Sequence, residues 1–186
     1  MILSDRELKE RLARGDLIVD PLHEPDVQIQ PASIDLSLGG VFLRTRDGTG
    51  PIDSHAPPPD LHEEVRLAPG EPLVLGPGDF VLGSTLERVS VPRDLVARVE
   101  GRSSLGRLAL VIHATAGFID PGFEGEITLE LANLGRLPVV LHPGMRVCQI
   151  AFHQLSSPVE RPYGPTRGSK YYGQEGPTAS RMRPNR

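Results

Sequence analysis

Between Gly101 and Glu130 the chain reads GRSSLGRLALVIHATAGFIDPGFEGEITLE, and three arrangements able to do chemistry fall within this one stretch. The first is Arg102-Ser103-Ser104-Leu105-Gly106-Arg107. Two guanidinium forks, two hydroxyls and a flexible backbone suit the oxygens of a polyphosphate, and free amides of such a turn can also cradle an anion. The Gly-Lys-Ser/Thr ending of a P-loop is missing, and Arg and Ser are equally at home in a solvated turn. The second is Glu130, which follows Ile127-Thr128-Leu129. Alternation puts Ile127, Leu129 and Leu131 on one strand face and Thr128 and Glu130 on the other. If that face is wet, Glu130 is a surface carboxylate; if it lines a pocket, Glu130 is placed for proton transfer. The third is Thr115 to Gly125, read here as a hairpin whose Gly117, Gly122 and Gly125 permit sharp bends and close approach. Asp120 there either accepts a hydrogen bond from a sugar hydroxyl or stabilises its own Asp-Pro-Gly turn.

Other chemistries lack their residues. Cys148 is the only cysteine, so an intrachain disulfide and the paired cysteines of a zinc-dependent nucleobase deaminase are both ruled out. It lies in an apolar run and reads as a buried, inert thiol. His113 and His142 have no second ligand at i+2 or i+4, which favours structural or surface roles over a zinc centre. Phe80 and Phe152 read as core residues. Tyr163, Tyr171 and Tyr172 sit in a polar tail where a ring could cover a nucleotide.

The elements that must position these groups are short. With 186 residues the chain suits one domain. Its 20 glycines and 19 prolines, with no Trp, describe many brief elements joined by tight turns, as in an all-β protein. A net charge of -4 argues against coating nucleic acid. Ser4-Asp5-Arg6-Glu7 follows Met1-Ile2-Leu3 directly, leaving no signal-peptide core, and no apolar run approaches a membrane span; a cytoplasmic chain without membrane or nucleic-acid partners is expected. Ser4 and Glu7 form a capping box for a helix ending at Gly15.

A brief strand is expected at 17–19 and a half-buried one through Ser33 to Leu38, with Ile34, Leu36 and Leu38 inward. Residues 45–64 are rich in Pro and Gly and are assigned no regular structure. Further strands are expected at 72–75, 80–84, 89–91, 96–100, 108–112, 126–131, 139–141 and 146–152, with a hairpin break at 141–145. This spacing of turn signals is that of a barrel or sandwich. From Ser156 the chain becomes polar and has no apolar face of its own.

Four motifs in order, RSSLGR at 102–107, TAGFIDPGFEG at 115–125, ITLE at 127–130 and SKYYGQEGPTASR at 169–181, resemble the dCTP deaminase family of the trimeric dUTPase superfamily. The resemblance implies a mainly β, distorted jelly-roll barrel with a short N-terminal helix. It implies one domain over 1–186 whose tail, 156–186, closes over the active site, and a homotrimer with intersubunit sites. It implies zinc-independent deamination of dCTP, Glu130 acting as general base and acid and Ser103 and Arg107 supporting the attacking water and the transition state. Arg102, Ser104, Lys170 and Gln174 then match the triphosphate set, Gln149 and Tyr163 nucleotide contacts, and Asp120 the deoxyribose position. Leu105, Gly106, Thr128 and Leu129 complete the substrate-binding segments, and Mg²⁺ rides on the triphosphate. The family's substrates are dCTP and dUTP, with dTTP as a feedback inhibitor.

Some members release dUTP and others carry it on to dUMP and pyrophosphate. Ala116-Gly117 matches the second group, in which glycine leaves space beside the triphosphate. The alternatives are a deaminase that stops at dUTP, a pure dUTPase and a non-catalytic nucleotide-binding regulator. Ala109, Glu126 and the 45–64 loop depart from the common pattern and are expected to lie clear of the motif residues.

Overall fold

The computed structural model describes residues 1–182 apart from Thr49 and Ala116. The first helix begins where the capping box puts it: α1 spans Asp5–Arg14, with the Ser4 N–H donating to Glu7 Oε2 at 2.9 Å, and Gly15 ends it in the left-handed region. Then come β1 (Ile18–Asp20), a one-turn α2 (Pro25–Gln28), β2 (Ile29–Gln30) and β3 (Ser33–Ser37). β4 (Val41–Thr45) and β5 (His62–Arg66) flank a long loop, and β6 (Leu73–Leu75) precedes β7 (Phe80–Ser90) and β8 (Leu95–Gly101). A single turn α3 (Ser103–Gly106) leads to β9 (Leu110–Val111), β10 (Phe118–Ile119), β11 (Glu124–Asn133), β12 (Val139–Leu141) and β13 (Arg146–Gln154).

The strands form three antiparallel sheets. One runs β5-β4-β7-β11-β9, with β1 also on β7; the second runs β10-β8-β13-β3-β2; the third pairs β12 with β6. The two larger sheets bury their inner faces in one cluster that includes Phe42, Leu129 and Leu131 from the first and Leu36, Ile150 and Phe152 from the second. The mainly β architecture expected from composition is the one observed.

Several local expectations change. The runs at 80–84 and 89–91 are one strand, β7, in which Glu87 is fully buried. The strand at 33–37 is covered on both faces rather than half-buried, because Arg102 and Arg146 close over Asp35 on the side away from the core. The 45–64 segment ends inside β5, and the 108–112 strand shrinks to β9, since Ala109 takes a φ of 61°. Neither expected hairpin pairs with itself. The Asp120-Pro121-Gly122 turn, closed by the Phe123 N–H on Asp120 O, carries the chain from β10 in the second sheet to β11 in the first. Likewise the turn after Leu141 leads from β12 to β13, which lie in different sheets. Both turns are corners between layers, a distinction that depends on tertiary packing and is invisible in turn chemistry.

Candidate active site

β11 supplies the central carboxylate. Its burial alternates without interruption, with Ile127, Leu129 and Leu131 in the core and Glu124, Glu126, Thr128 and Glu130 half-buried on the opposite face. Where β11 meets β7 the register shifts between Glu126 and Thr128. The hydroxyl of Thr85 fills the broken ladder, accepting from the Ile127 N–H at 2.9 Å and donating to Glu87 O at 2.7 Å.

The outer face of β11 is one wall of a cavity of about 700 Å³ that contains Thr128, Glu130, His113, Tyr163, Tyr171 and Gln174. Glu130 Oε2 accepts from the backbone N–H of Ala114 at 3.0 Å and of Thr115 at 3.3 Å, and from the Thr115 hydroxyl at 3.5 Å. Those contacts fix one oxygen of the carboxylate and leave Oε1 outside them. Among the described residues, three buried side-chain atoms lack a hydrogen-bond partner: both ring nitrogens of His113 and Oε1 of Gln174. All three belong to residues that line this cavity. Unpartnered buried polar atoms are rare in a folded protein, and here the residues that carry them border one cavity.

A second, shallower cavity adjoins the first through Tyr163 and Tyr171 and adds Asp120, Ser169 and Lys170. Thus Thr128, Glu130, Asp120, Tyr163, Lys170 and Gln174 are brought onto two continuous spaces. The Tyr163 ring lies 6.0 Å from that of Phe123, and its hydroxyl accepts from the Tyr171 N–H at 2.9 Å. Burial pushes the Tyr163 phenol above its ordinary pKa.

The cationic turn stands elsewhere. None of the residues Arg102 to Arg107 lines either cavity. Leu105 is buried and anchors α3, whereas Ser103, Ser104, Gly106 and Arg107 are exposed. The amides of Leu105, Gly106 and Arg107 close the turn on Arg102 O and Ser103 O, so hydroxyls and guanidinium groups remain for an anion, and the nest of free amides is not built from those three. Arg102 lies 3.5 Å from Asp35, and Asp35 also receives Arg146 Nη1 at 3.1 Å. Burial pushes the Asp35 carboxyl up, against the pull of both arginines. Gln149 belongs to this second group: it pairs with Asp35 across β3 and β13 and accepts from the Ser33 hydroxyl at 3.2 Å. Leu129, fully buried, offers a ligand only its backbone.

The tail docks along β11. The Tyr172 hydroxyl donates to Glu124 Oε2 at 2.6 Å, the Gly173 N–H to Glu124 O at 2.7 Å, the Gly176 N–H to Glu126 Oε2 at 2.8 Å and the Thr178 N–H to Thr128 Oγ1 at 3.1 Å. Glu126 therefore touches the motif residue Gln174, whose side-chain amide donates to Glu126 O, which corrects the expectation that it lies clear. The 45–64 loop is corrected likewise: Ile52, Leu61 and His62 line the cavity of Glu130. Phe80, taken as core, is 44% exposed and faces the same cavity. Ala116 lies outside the described residues. At Gly117 a Cβ would sit 3.0 Å from Val99 O, so the missing side chain serves the close packing of this segment on β8.

A family profile of dCTP deaminase-like proteins matches residues 2–155. The chain belongs to that family. It is 55% identical, over 98% of its own length and 95% of the relative's, to a protein of Dictyoglomus thermophilum named dCTP deaminase, dUMP-forming. It is 56% identical, over 100% of its length and 97% of the relative's, to a dCTP deaminase of Haloarcula marismortui. Among solved structures it is similar to the 2'-deoxycytidine 5'-triphosphate deaminase of Agrobacterium tumefaciens, with 28% identity and a TM-score of 0.64 over 82% of this chain. The match spans 47% of that longer chain. No helix among the described residues is long and apolar enough to cross a membrane.

Proposed function

We propose that this protein deaminates dCTP and hydrolyses the resulting dUTP to dUMP and pyrophosphate. The observation that carries the reading is Glu130, half-buried at the wall of a cavity that is also lined by His113 and Gln174 with their unpartnered buried atoms, and with one oxygen fixed by two backbone amides. Relatives named dCTP deaminase, dUMP-forming, supply the nucleotide and the end product. In the first step Glu130 takes a proton from the water that attacks C4 of cytosine and returns it to the exocyclic nitrogen. The proton of the hydroxyl now on C4 passes to N3, the C4–N bond breaks, ammonia leaves and the uracil carbonyl forms. Backbone amides that hold Oε2 in advance keep the carboxylate aimed without reorganisation during the reaction. In the second step water displaces pyrophosphate from the α-phosphorus.

Asp120 and Tyr163 are assigned to the sugar, and Lys170 and Gln174 to the phosphates, along the two adjoining cavities. Ser103 and Arg107 support the reacting water, and Arg102, Ser104 and Gln149 complete nucleotide binding. Because this second set stands apart from Glu130 within one chain, the site is assigned to the junction between copies of a homotrimer. Each copy then supplies the cationic turn to its neighbour's Glu130. Mg²⁺ is assigned to enter with the substrate, bound by its phosphate oxygens and neutralising their charge. The segment 156–182 acts as the strap that closes over the nucleotide. As part of the same proposal, dTTP is assigned as a competing ligand of the Glu130 cavity and the protein to the cytoplasm.

The test is to incubate the purified protein with dCTP and Mg²⁺ and resolve the products over time. Accumulation of dUMP, pyrophosphate and ammonia with little free dUTP supports the reading. A dUTP end point favours the deaminase that stops there. No ammonia from dCTP would refute both.

A further inference from the structure

The strap does more than lie across β11: its register is fixed by side chains at its outer end, away from Glu130. Alternate residues in the first half of β11 hold successively later points of the strap. Glu124 holds Tyr172 and Gly173, Glu126 holds Gln174 and Gly176, and Thr128 holds Thr178. At Glu124 the contact is closed from the other side by Arg88 of β7, whose Nη2 donates to Glu124 Oε1 at 2.7 Å. One carboxylate is thus clamped between a strap phenol and a strand guanidinium.

Between Glu124 and Glu126 the strap backbone presses against Gly125, which takes a φ of 144° and would place a Cβ 2.9 Å from Gln174 O and 3.0 Å from Gln174 N. Glycine lets the strap pair directly with β11 there, as the bridge between Gly125 and Gln174 shows. Slipping the strap out of this register would carry Gln174 away from the cavity it lines and Lys170 away from the adjoining one.

We infer that Glu124, Tyr172 and Arg88 form a latch, with Glu124 and Tyr172 as positioning residues that hold the strap where Lys170 and Gln174 can meet the nucleotide. The inference rests on the strap closing over the substrate, as proposed above, and it assigns the latch no contact with the reacting atoms. Loss of the latch acts on binding: the strap remains present but samples the docked register less often, so the apparent affinity falls by the fraction of time it is undocked.

Tyr172→Phe, Glu124→Ala and the double variant test this by two independent readouts. The first, made without nucleotide, is the rate of tryptic cleavage after Arg167 and Lys170, with the melting temperature as control. The second is steady-state turnover of dCTP. The latch predicts roughly fivefold to tenfold faster strap cleavage, on the scale of one solvent-exposed hydrogen bond, with the melting temperature unchanged. It predicts a KM for dCTP raised by the factor by which the docked fraction falls, with kcat within about twofold, and a double variant no worse than Glu124→Ala alone. Gly125→Ala, which displaces the strap while leaving the latch groups in place, gives the same cleavage phenotype. Cleavage and KM at wild-type values in all variants would overturn the latch. Additive losses, or a fall in melting temperature that accounts for the faster cleavage, would overturn it too. If the wild-type protein proves inert toward dCTP, the proposed function falls, while the nucleotide-free cleavage assay still decides the latch.

Discussion

The outer face of β11 and the turn at 102–107 carry comparable densities of chemical groups, yet they are finished to different degrees within one chain. Around β11, Glu130 is held by backbone amides, the tail runs in register toward it, and a cavity stands open beside it. The turn has an anchored Leu105 and an Arg102 tied to Asp35, but Ser103, Ser104 and Arg107 face outward with no cavity of their own. In the proposed reading, one chain completes the carboxylate half of the site and the cationic half comes from another copy.

The largest effect should come from breaking the finished half. Glu130→Gln keeps the shape and an oxygen for the Ala114 and Thr115 amides but cannot take a proton. Ammonia release should fall by about 10² to 10⁴ with dCTP binding retained, as checked by coupled ammonia assay and calorimetry; unchanged turnover would remove Glu130 from the mechanism. Arg102→Ala strikes the other half. Loss of a charge-assisted phosphate contact should raise KM by roughly tenfold and lower kcat less, and steady-state kinetics giving a loss confined to kcat would contradict that role.

A smaller effect separates the strap from both halves. The Tyr172 hydroxyl and then Arg88 hold the Glu124 carboxyl below its ordinary value of 4.5, with Glu175 the further carboxylate acting on Arg88. A depressed carboxylate favours the docked state above its undocked pKa, and that contribution disappears as pH falls through the docked value. Strap protection at the Gly173 amide, measured by hydrogen exchange relative to the intrinsic rate, should therefore hold from neutral pH down to about 5 and decline below it. Protection that instead weakens on raising the pH from 5 to 8 would contradict the sign. The smallest effect concerns Ala109, which follows the cationic turn at a φ of 61°. Ala109→Gly should relieve about 1 kcal/mol of left-handed strain and raise the melting temperature by a few degrees, leaving turnover unchanged.

Much of this organisation is legible in the residues. Ser4, Glu7 and Gly15 delimit α1 by capping chemistry alone, and the alternation at 127–131 assigns each residue of β11 to its face. Other features depend on distance across the fold. Pro and Gly at 120–122 announce a turn but not that its arms enter different sheets. Asp35 reads as a wet strand residue until Arg102 and Arg146, more than sixty positions away, are seen to cover it. His113 and Phe80 join the cavity without any motif to mark them, and the unpartnered ring of His113 becomes a signal only when burial is known. The contacts of Glu126 with the tail are hidden in the same way, because pairing between residues about fifty positions apart leaves no local pattern.

The most direct test mixes the two halves. Glu130→Gln and Arg107→Ala chains, each prepared alone and then co-assembled, should separately convert almost no dCTP. If Glu130 of one copy works with Arg107 of the next, random assembly restores about a quarter of the sites, and dUMP formation should rise to that level. A mixture as inactive as its parents would mean that both halves must come from one chain, and would contradict the account.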